Sequence, residues 1–266
     1  MIENGIKVIK IGGNIIDDDS KLNNFLTDFV NIAGLKILVH GGGKLATELT
    51  DRLGVDTKMI DGRRVTDAET LKIVTMVYAG YINKMLVAKL QSLGCNAFGL
   101  SGADANTIPA LKRNDSKIDW GYVGDLDYNM PDAANIKIFL DNHWVPVFCA
   151  ITHDHQGNLL NTNADTIAAC IASALAKKNY EVTLVYCFEK KGVLADINDE
   201  NSVIKKINSA YYMELKDRNI VSKGMIPKLD NAFQSLKEGV HEVKICMAED
   251  LHDFENAGTL ITQMNI

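Results

Sequence analysis

Lys10 stands where a lysine is expensive. It interrupts Val8-Ile9-Lys10-Ile11-Gly12-Gly13, a β-branched run otherwise suited to burial on both faces, and a buried ammonium needs an anion beside it. It lies at the carboxyl end of its predicted strand, where open α/β sheets bind ligands. Gly12 and Gly13 then let the backbone come close to one. The other reading is an edge lysine snorkelling to water. A second anion-suited segment is His40-Gly41-Gly42-Gly43-Lys44. Three glycines running into a helix N-terminus make a nest of amide donors for phosphate or carboxylate. A third is Pro227-Lys228, which opens a helix after Lys223-Gly224-Met225-Ile226. Proline suits the first helical position, whereas a lysine in the first turn opposes the helix dipole by about 0.3–1 kcal/mol. An anion bound there would turn that penalty into a gain. Taken by itself, Lys228 reads equally well as a solvated surface charge.

Three further segments read two ways. In Asn161-Thr162-Asn163-Ala164-Asp165, Asn163 is a natural N-cap and Asp165 suits a first helical turn, so capping alone accounts for both. Arg64, beside Arg63 after a turn, is a solvated charge or an anion ligand. His153 and His155 flank Asp154 in a polar hairpin and read as a solvated turn ahead of a metal site. The glycine run itself nearly fits two known patterns. The phosphate loop G-x-x-x-x-G-K-[ST] fails at Leu38 and Leu45. The dinucleotide fingerprint G-x-G-x-x-A is met by Gly41, Gly43 and Ala46, with Asp61 twenty residues beyond Gly41. That match falls on the second strand and leaves Lys10 without a role.

Elements that could position these residues alternate along the chain. Strands are expected at 6–11, 36–40, 97–100, 145–150, 182–187 and 243–247. Helices are expected at 21–32, 44–53, 132–142, 164–177, 210–218 and 228–239. Residues 56–66 read as a β-hairpin with Asp61-Gly62 at its turn. From Thr66, which with Glu69 has the form of a capping box, a helical region runs to about Leu93. Its apolar face (Leu71, Val74, Val77, Tyr78, Tyr81, Ile82, Met85, Leu86, Leu90) is wider than a one-sided helix needs, so core packing and a second subunit both compete for it. Alternation of this kind means a mainly parallel sheet with helices on both faces. Any division into lobes falls near residue 176.

Composition narrows the partners. The chain has 266 residues, 47% hydrophobic and 23% charged, with a formal net charge of −6. A net negative charge argues against a nucleic-acid or anionic-membrane partner, so anions must be captured locally. Five scattered cysteines without a C-x-x-C pair read as reduced thiols in the cytoplasm. Residues 1–5 lack the regions of a signal peptide. The apolar stretch Ile167–Ala176 is too short to span a bilayer and reads as a buried helix.

K-I-G-G at 10–13, H-G-G-G at 40–43, G-R-R-V-T at 62–66, N-T-N-A-D at 161–165 and K-G-M-I-P-K at 223–228, in this order and spacing, resemble the N-acetylglutamate kinases of the amino-acid kinase family. The resemblance covers nearly the whole chain. It implies an αβα three-layer sandwich of the carbamate kinase-like type. In it, residues 1–176 bind the acyl amino acid and dimerise, and residues 177–266 bind the nucleotide. It implies ATP-dependent phosphorylation of the γ-carboxylate of N-acetylglutamate, or of N-succinylglutamate, in arginine and ornithine biosynthesis.

By the same resemblance, Lys10 and Lys228 lie on either side of the phosphoryl group in flight, and Asp165 holds both lysines. Amides at Gly12, Gly13, Gly42 and Gly43 serve the phosphates and the attacking carboxylate, and Arg64 and Asn161 hold the rest of the substrate. Magnesium accompanies ATP through phosphate oxygens, with no protein ligand. The expected assembly is a homodimer built on the 71–90 helix. Only nine residues precede Lys10, so the N-terminal helix of arginine-inhibited members is not expected, nor is their inhibition. Two departures stand out. Cys187–Val193 replaces a T-D-V-x-G-V type of loop on the nucleotide side, and Cys149-Ala150-Ile151-Thr152-His153 replaces an I-G pair near the acyl group. The readings left beside this one are another amino-acid kinase, such as a glutamate 5-kinase, a nicotinamide-dependent dehydrogenase on the glycine run, and a silent relative that only binds a partner.

Overall fold

The structure is a computed structural model and describes residues 5–60, 62–218, 220–221 and 225–263. Six parallel strands form its centre: β1 (Gly5–Ile11), β2 (Leu35–His40), β5 (Ala97–Leu100), β8 (Val145–Cys149), β11 (Glu181–Phe188) and β13 (Glu242–Met247). With β12 (Lys206–Ile207) and β14 (Thr259–Ile261) they make one eight-stranded sheet in the order β12-β14-β13-β11-β1-β2-β8-β5. β14 runs antiparallel to β13. Strand β1 is central because its apolar residues can be buried on both faces: Val8, Ile9 and Ile11 are fully enclosed.

Helices cover both faces. Leu22, Phe25, Leu26 and Phe29 of α2 (Asp19–Asn31), preceded by the four-residue α1 (Gly13–Ile16), point into the core. The alanine-rich α7 (Ala164–Ala176) is buried along almost its whole length and packs on β1, β2, β11 and α9 (Ile226–Lys237). Small side chains let it lie close to the sheet. Lys36 on β2 is also buried, and donates from Nζ to the carbonyls of Phe29, Val30 and Ile32 at 3.0, 2.6 and 2.7 Å. That lysine is a cap for the end of α2, and needs no ligand to account for it.

Several elements depart from expectation. A second sheet, β6-β7-β10-β9, was not legible in the pattern. Its strands β6 (Leu111–Lys112), β7 (Val123–Asp125), β9 (Ile151–His153) and β10 (Leu159–Thr162) span two to four residues each, too short to show a period. The expected hairpin exists as β3 (Met59–Ile60) and β4 (Arg63–Arg64), with Asp61 outside the described residues. The capping box is corrected: Asp67, not Thr66, caps α4 (Ala68–Thr75) by accepting from the Thr70 amide at 2.8 Å, while Thr66 Oγ1 donates to the Arg64 carbonyl. Between α3 (Gly43–Arg52) and the second sheet, α4 continues through a π-helical segment, Met76–Ile82, into α5 (Asn83–Ser92).

By length and composition that continuous helix, Ala68–Ser92, could cross a membrane. Its Ile73, Val74, Val77, Ile82, Leu86 and Leu90 instead belong to the core of the folded chain, which is the packing of a core helix. Met76 and Tyr81, 55% and 64% exposed, stand on its outer face.

The remaining helices, α6 (Ala133–Asp141) and α8 (Ser209–Asp217), fall close to their expected ranges. The main sheet runs unbroken across residue 176, since β1 pairs with β11 along its full length.

Candidate active site

The carboxyl ends of β1, β2, β8 and β11 meet at one edge of the sheet, and the candidate residues lie there. Lys10 Nζ sits 2.6 Å from Asp165 Oδ1, with side chains only 16% and 22% exposed. The pair forms because Asn163, accepting from the amides of Asp165 and Thr166 at 2.8 and 3.1 Å, starts α7 directly beside β1. Capping and ion pairing are thus both true of this segment: Asn163 caps, and Asp165 pairs. Tyr186, opposite Lys10 in the β1–β11 ladder, donates its hydroxyl to the Asp165 backbone carbonyl at 3.2 Å.

Lys228 enters from the first turn of α9, next to a proline at the head of that helix. Its Nζ lies 4.1 Å from the centre of the Phe188 ring, and among the described residues no carboxylate reaches it within ion-pair distance. Burial lowers its pKa, Asp165 raises it and Lys10 lowers it further. Lys10 and Lys228 therefore share the field of Asp165, with Glu189 a smaller contributor at Lys228, an arrangement that an additional anion would relieve. The Lys223-Gly224 part of this motif lies outside the described residues.

The glycine run bends from β2 into α3. Gly42 is the N-cap of α3 and has no side chain to satisfy the first-turn amides, which remain available to an anion. A Cβ on Gly42 would lie 2.3 Å from Ile82 Cδ1 and 3.0 Å from Tyr78 Cδ1. Gly12 and Gly13 face open space instead, the nearest atom being Asp17 Oδ2, 3.7 Å from a Cβ on Gly13. They leave open space beside the backbone.

His40 is fully enclosed. Its Nδ1 lies 2.8 Å from the Gly41 carbonyl and its Nε2 3.1 Å from Asn83 Nδ2. A carbonyl can only accept, so the ring is the Nδ1-protonated tautomer, with Nε2 accepting from Asn83. Burial pushes its pKa down to about 4. The unfolded chain takes up a proton near pH 6.5 that the folded ring refuses until about pH 4. Stability should therefore fall as pH drops through that window, by on the order of 3 kcal/mol from this residue. Urea midpoints at pH 7 and 4.5 check it. The His40→Gln variant should show a shallower fall, and an equal one would place the titration elsewhere.

Arg64, only 7% exposed, donates to the Gly43 carbonyl at 3.0 Å and to the hydroxyls of Thr47 and Thr57 at 2.6 and 3.3 Å. All three acceptors are neutral. No carboxylate pairs with this buried guanidinium among the described residues, so the site is short of one negative charge. Asn161 lies on β10 and donates to Thr66 Oγ1 at 3.0 Å.

Gly42, Gly43, Arg64 and Asn161 line one cleft of about 470 Å³. A second cleft of about 220 Å³, lined by Phe188, Gly192, Val193, Leu194, Ile197, Val221 and Lys228, is mostly apolar. The lining residues of the first all precede residue 176, and those of the second all follow it.

Arg63, Tyr78, Arg113 and Asp125 also line the larger cleft and were not picked out beforehand. Arg113 forks onto Asp125 and lies over the Trp120 ring at 4.9 Å. It directly follows β6, a strand too short for periodicity to reveal. Tyr78 was visible only as one more core residue. His153 and His155 stack edge to face at 4.7 Å in the β9–β10 turn, and no cluster of three metal-ligating side chains occurs among the described residues.

The chain belongs to the amino acid kinase family, whose sequence profile matches residues 5–247. It is 53% identical over 250 residues to the acetylglutamate kinase of Cytophaga hutchinsonii, covering 94% of both chains. It is 51% identical over 247 residues to that of Bacteroides fragilis, covering 93% of this chain and 94% of the relative. Within the family it therefore falls among the acetylglutamate kinases. The fold is shared with carbamate kinase from Giardia lamblia bound to AMP-PNP, at a TM-score of 0.70 and 14% identity, over 99% of this chain and all of that one. The dehydrogenase reading of the glycine run falls with this membership; its Asp61 lies outside the described residues.

Proposed function

We propose that the chain transfers the γ-phosphate of ATP to the γ-carboxylate of N-acetyl-L-glutamate, a step of arginine biosynthesis. The observation that carries this reading is the Lys10–Asp165 ion pair with the partly buried Lys228 in the field of the same carboxylate, beside a cleft with a buried arginine that has no carboxylate partner. A carboxylate oxygen attacks the γ-phosphorus while the bond from that phosphorus to the ADP oxygen breaks. No proton has to be removed, because the substrate carboxylate is ionised at pH 7. The work left for the protein is alignment and charge.

In this reading Lys10 and Lys228 flank the phosphoryl group, and Asp165 orients Lys10 by the 2.6 Å contact. The amides of Gly12 and Gly13 serve the phosphates, those of Gly42 and Gly43 serve the attacking carboxylate, and Arg64 and Asn161 hold the other end of the substrate. The apolar cleft beside Lys228 suits a purine, so residues 177–266 would bind the nucleotide and residues 1–176 the acyl amino acid. Magnesium fits as a companion of ATP, neutralising its phosphate oxygens. Asp165 is already engaged by Lys10 and is not offered to the metal.

Exposed Met76 and Tyr81 support a homodimer formed on the outer face of Ala68–Ser92. Five buried, unpaired cysteines suit the reducing cytoplasm, and the negative net charge leaves small molecules as the partners, not nucleic acid or membranes.

The test is ADP release from Mg-ATP with the acyl phosphate trapped by hydroxylamine, on N-acetylglutamate, N-succinylglutamate, glutamate and aspartate. Turnover on an acylated glutamate supports the reading and settles the acyl group. Turnover only on a free amino acid would overturn it in favour of another branch, such as the glutamate 5-kinases. Arg64→Ala should raise KM for the acylated glutamate by about 10²-fold, the scale of a lost buried charge-assisted contact, and leave KM for ATP nearly unchanged. A parallel rise in both constants would remove Arg64 from the substrate.

A further inference from the structure

We propose that Tyr78 is a substrate-binding residue, its phenol hydroxyl donating a hydrogen bond to the carboxylate of the acyl amino acid that Arg64 holds. This rests on the reading of the larger cleft as the acylglutamate site. Three observations converge on it. The ring is 95% enclosed and still lines that cleft. It lies against the glycine run: Cβ atoms built on Gly42 and Gly43 would stand 3.0 Å from Tyr78 Cδ1 and 3.9 Å from the hydroxyl oxygen. Arg64 is its close polar neighbour: burial raises the phenol pKa, and the positive charge of the guanidinium works against that rise. Among the described residues the phenol hydroxyl makes no hydrogen bond, and Arg64 donates to other groups. A hydroxyl lining the cleft beside a guanidinium that has no carboxylate partner suits an anionic acceptor, and a carboxylate answers both.

The helix winding explains how a residue from a core helix reaches this place. Met76–Ile82 is π-helical, with i→i+5 bonding that adds about one residue to each turn, a form frequent at functional sites. This winding brings Tyr78, Ile82 and Asn83 to one side. Tyr78 and Ile82 press on Gly42, and Asn83 binds His40. In an unbroken α-helix Asn83 would turn well away from Tyr78. The segment thus holds the glycine run from behind while presenting one hydroxyl to the cleft.

The test is Tyr78→Phe in the full chain, which removes the hydroxyl and keeps the ring contacts on Gly42. The expected result is a rise of about tenfold or more in KM for the acylated glutamate, the loss of one hydrogen bond to a charged group. Turnover number, KM for ATP and melting temperature should stay near those of the unaltered protein. Tyr78→Leu, which also removes the ring, should lower turnover as well, because Gly42 loses its backing. An active unaltered protein whose Tyr78→Phe variant keeps the same KM for the acylated glutamate overturns the assignment alone. So does a variant in which both KM values and the melting temperature move together, since that is a structural role. Silence of the unaltered protein on every acylated glutamate overturns the functional reading and this assignment with it.

Discussion

Lys228→Ala should reduce turnover by about 10²-fold or more, the usual cost of removing one oriented charge donor from a transition state. Lys228 is the cation whose structural explanation is weakest. Lys36 is equally a lysine in the interior, yet three carbonyls accept from it, and Lys10 has Asp165. Lys228 has an aromatic face and feels Asp165 and Glu189 only from beyond ion-pair distance. Its burial lowers its pKa, so the free protein should lose this proton at a pH below the usual lysine range. Phosphate binding favours the charged form. Uptake of ATP on the alkaline side is then coupled to uptake of a proton, and kcat/KM for ATP should fall as pH rises towards 10. Lys228→Arg keeps its charge throughout and should lose that alkaline fall while retaining part of the turnover. Near-normal turnover in Lys228→Ala, with the alkaline limb unchanged, would take Lys228 out of the reaction.

Legibility in the sequence followed cost. Lys10 was visible because an ammonium within a β-branched run has no local reason to be there, and the structure supplies a non-local one in Asp165. The glycines at 41–43 were visible because three in a row before a helix are a backbone requirement. Gly42 meets it by leaving no room for a Cβ against Ile82 and Tyr78. The central strands were legible because burial on both faces writes a continuous apolar run. The four-stranded sheet that carries Asn161 and leads into Arg113 was not, since its strands of two to four residues are shorter than one readable period.

Local rules also competed. Thr66 and Glu69 fit a capping box, but Asp67 lies one residue nearer the helix and takes the Thr70 amide. Tyr78 was hidden for the opposite reason to Lys10: an aromatic residue at helical spacing costs a core nothing, so its hydroxyl drew no notice. The π-helical winding and the contact with Gly42, neither of which the sequence pattern writes, place that ring at the cleft.

Asp165→Asn should also lower turnover by about 10²-fold, with a different signature. The change keeps the shape of the side chain and its place after the Asn163 cap, so α7 should start as before. It removes the anion that fixes Lys10 at 2.6 Å and offsets the charge on Lys228. Without it two cations confront each other at low exposure, and Lys10 is free to leave the position from which it would meet the phosphoryl group. ATP itself brings anions to that place, so the nucleotide can draw the lysines together once bound. KM for ATP should therefore stay close to that of the unaltered protein while kcat falls. A general base would behave otherwise, since its loss would be partly recovered by raising the pH, and the acceptor here is already a carboxylate. The Asn variant should show no such recovery between pH 7 and 9. Parallel loss of ATP affinity, or recovery of turnover at alkaline pH, would overturn the positioning role given to Asp165.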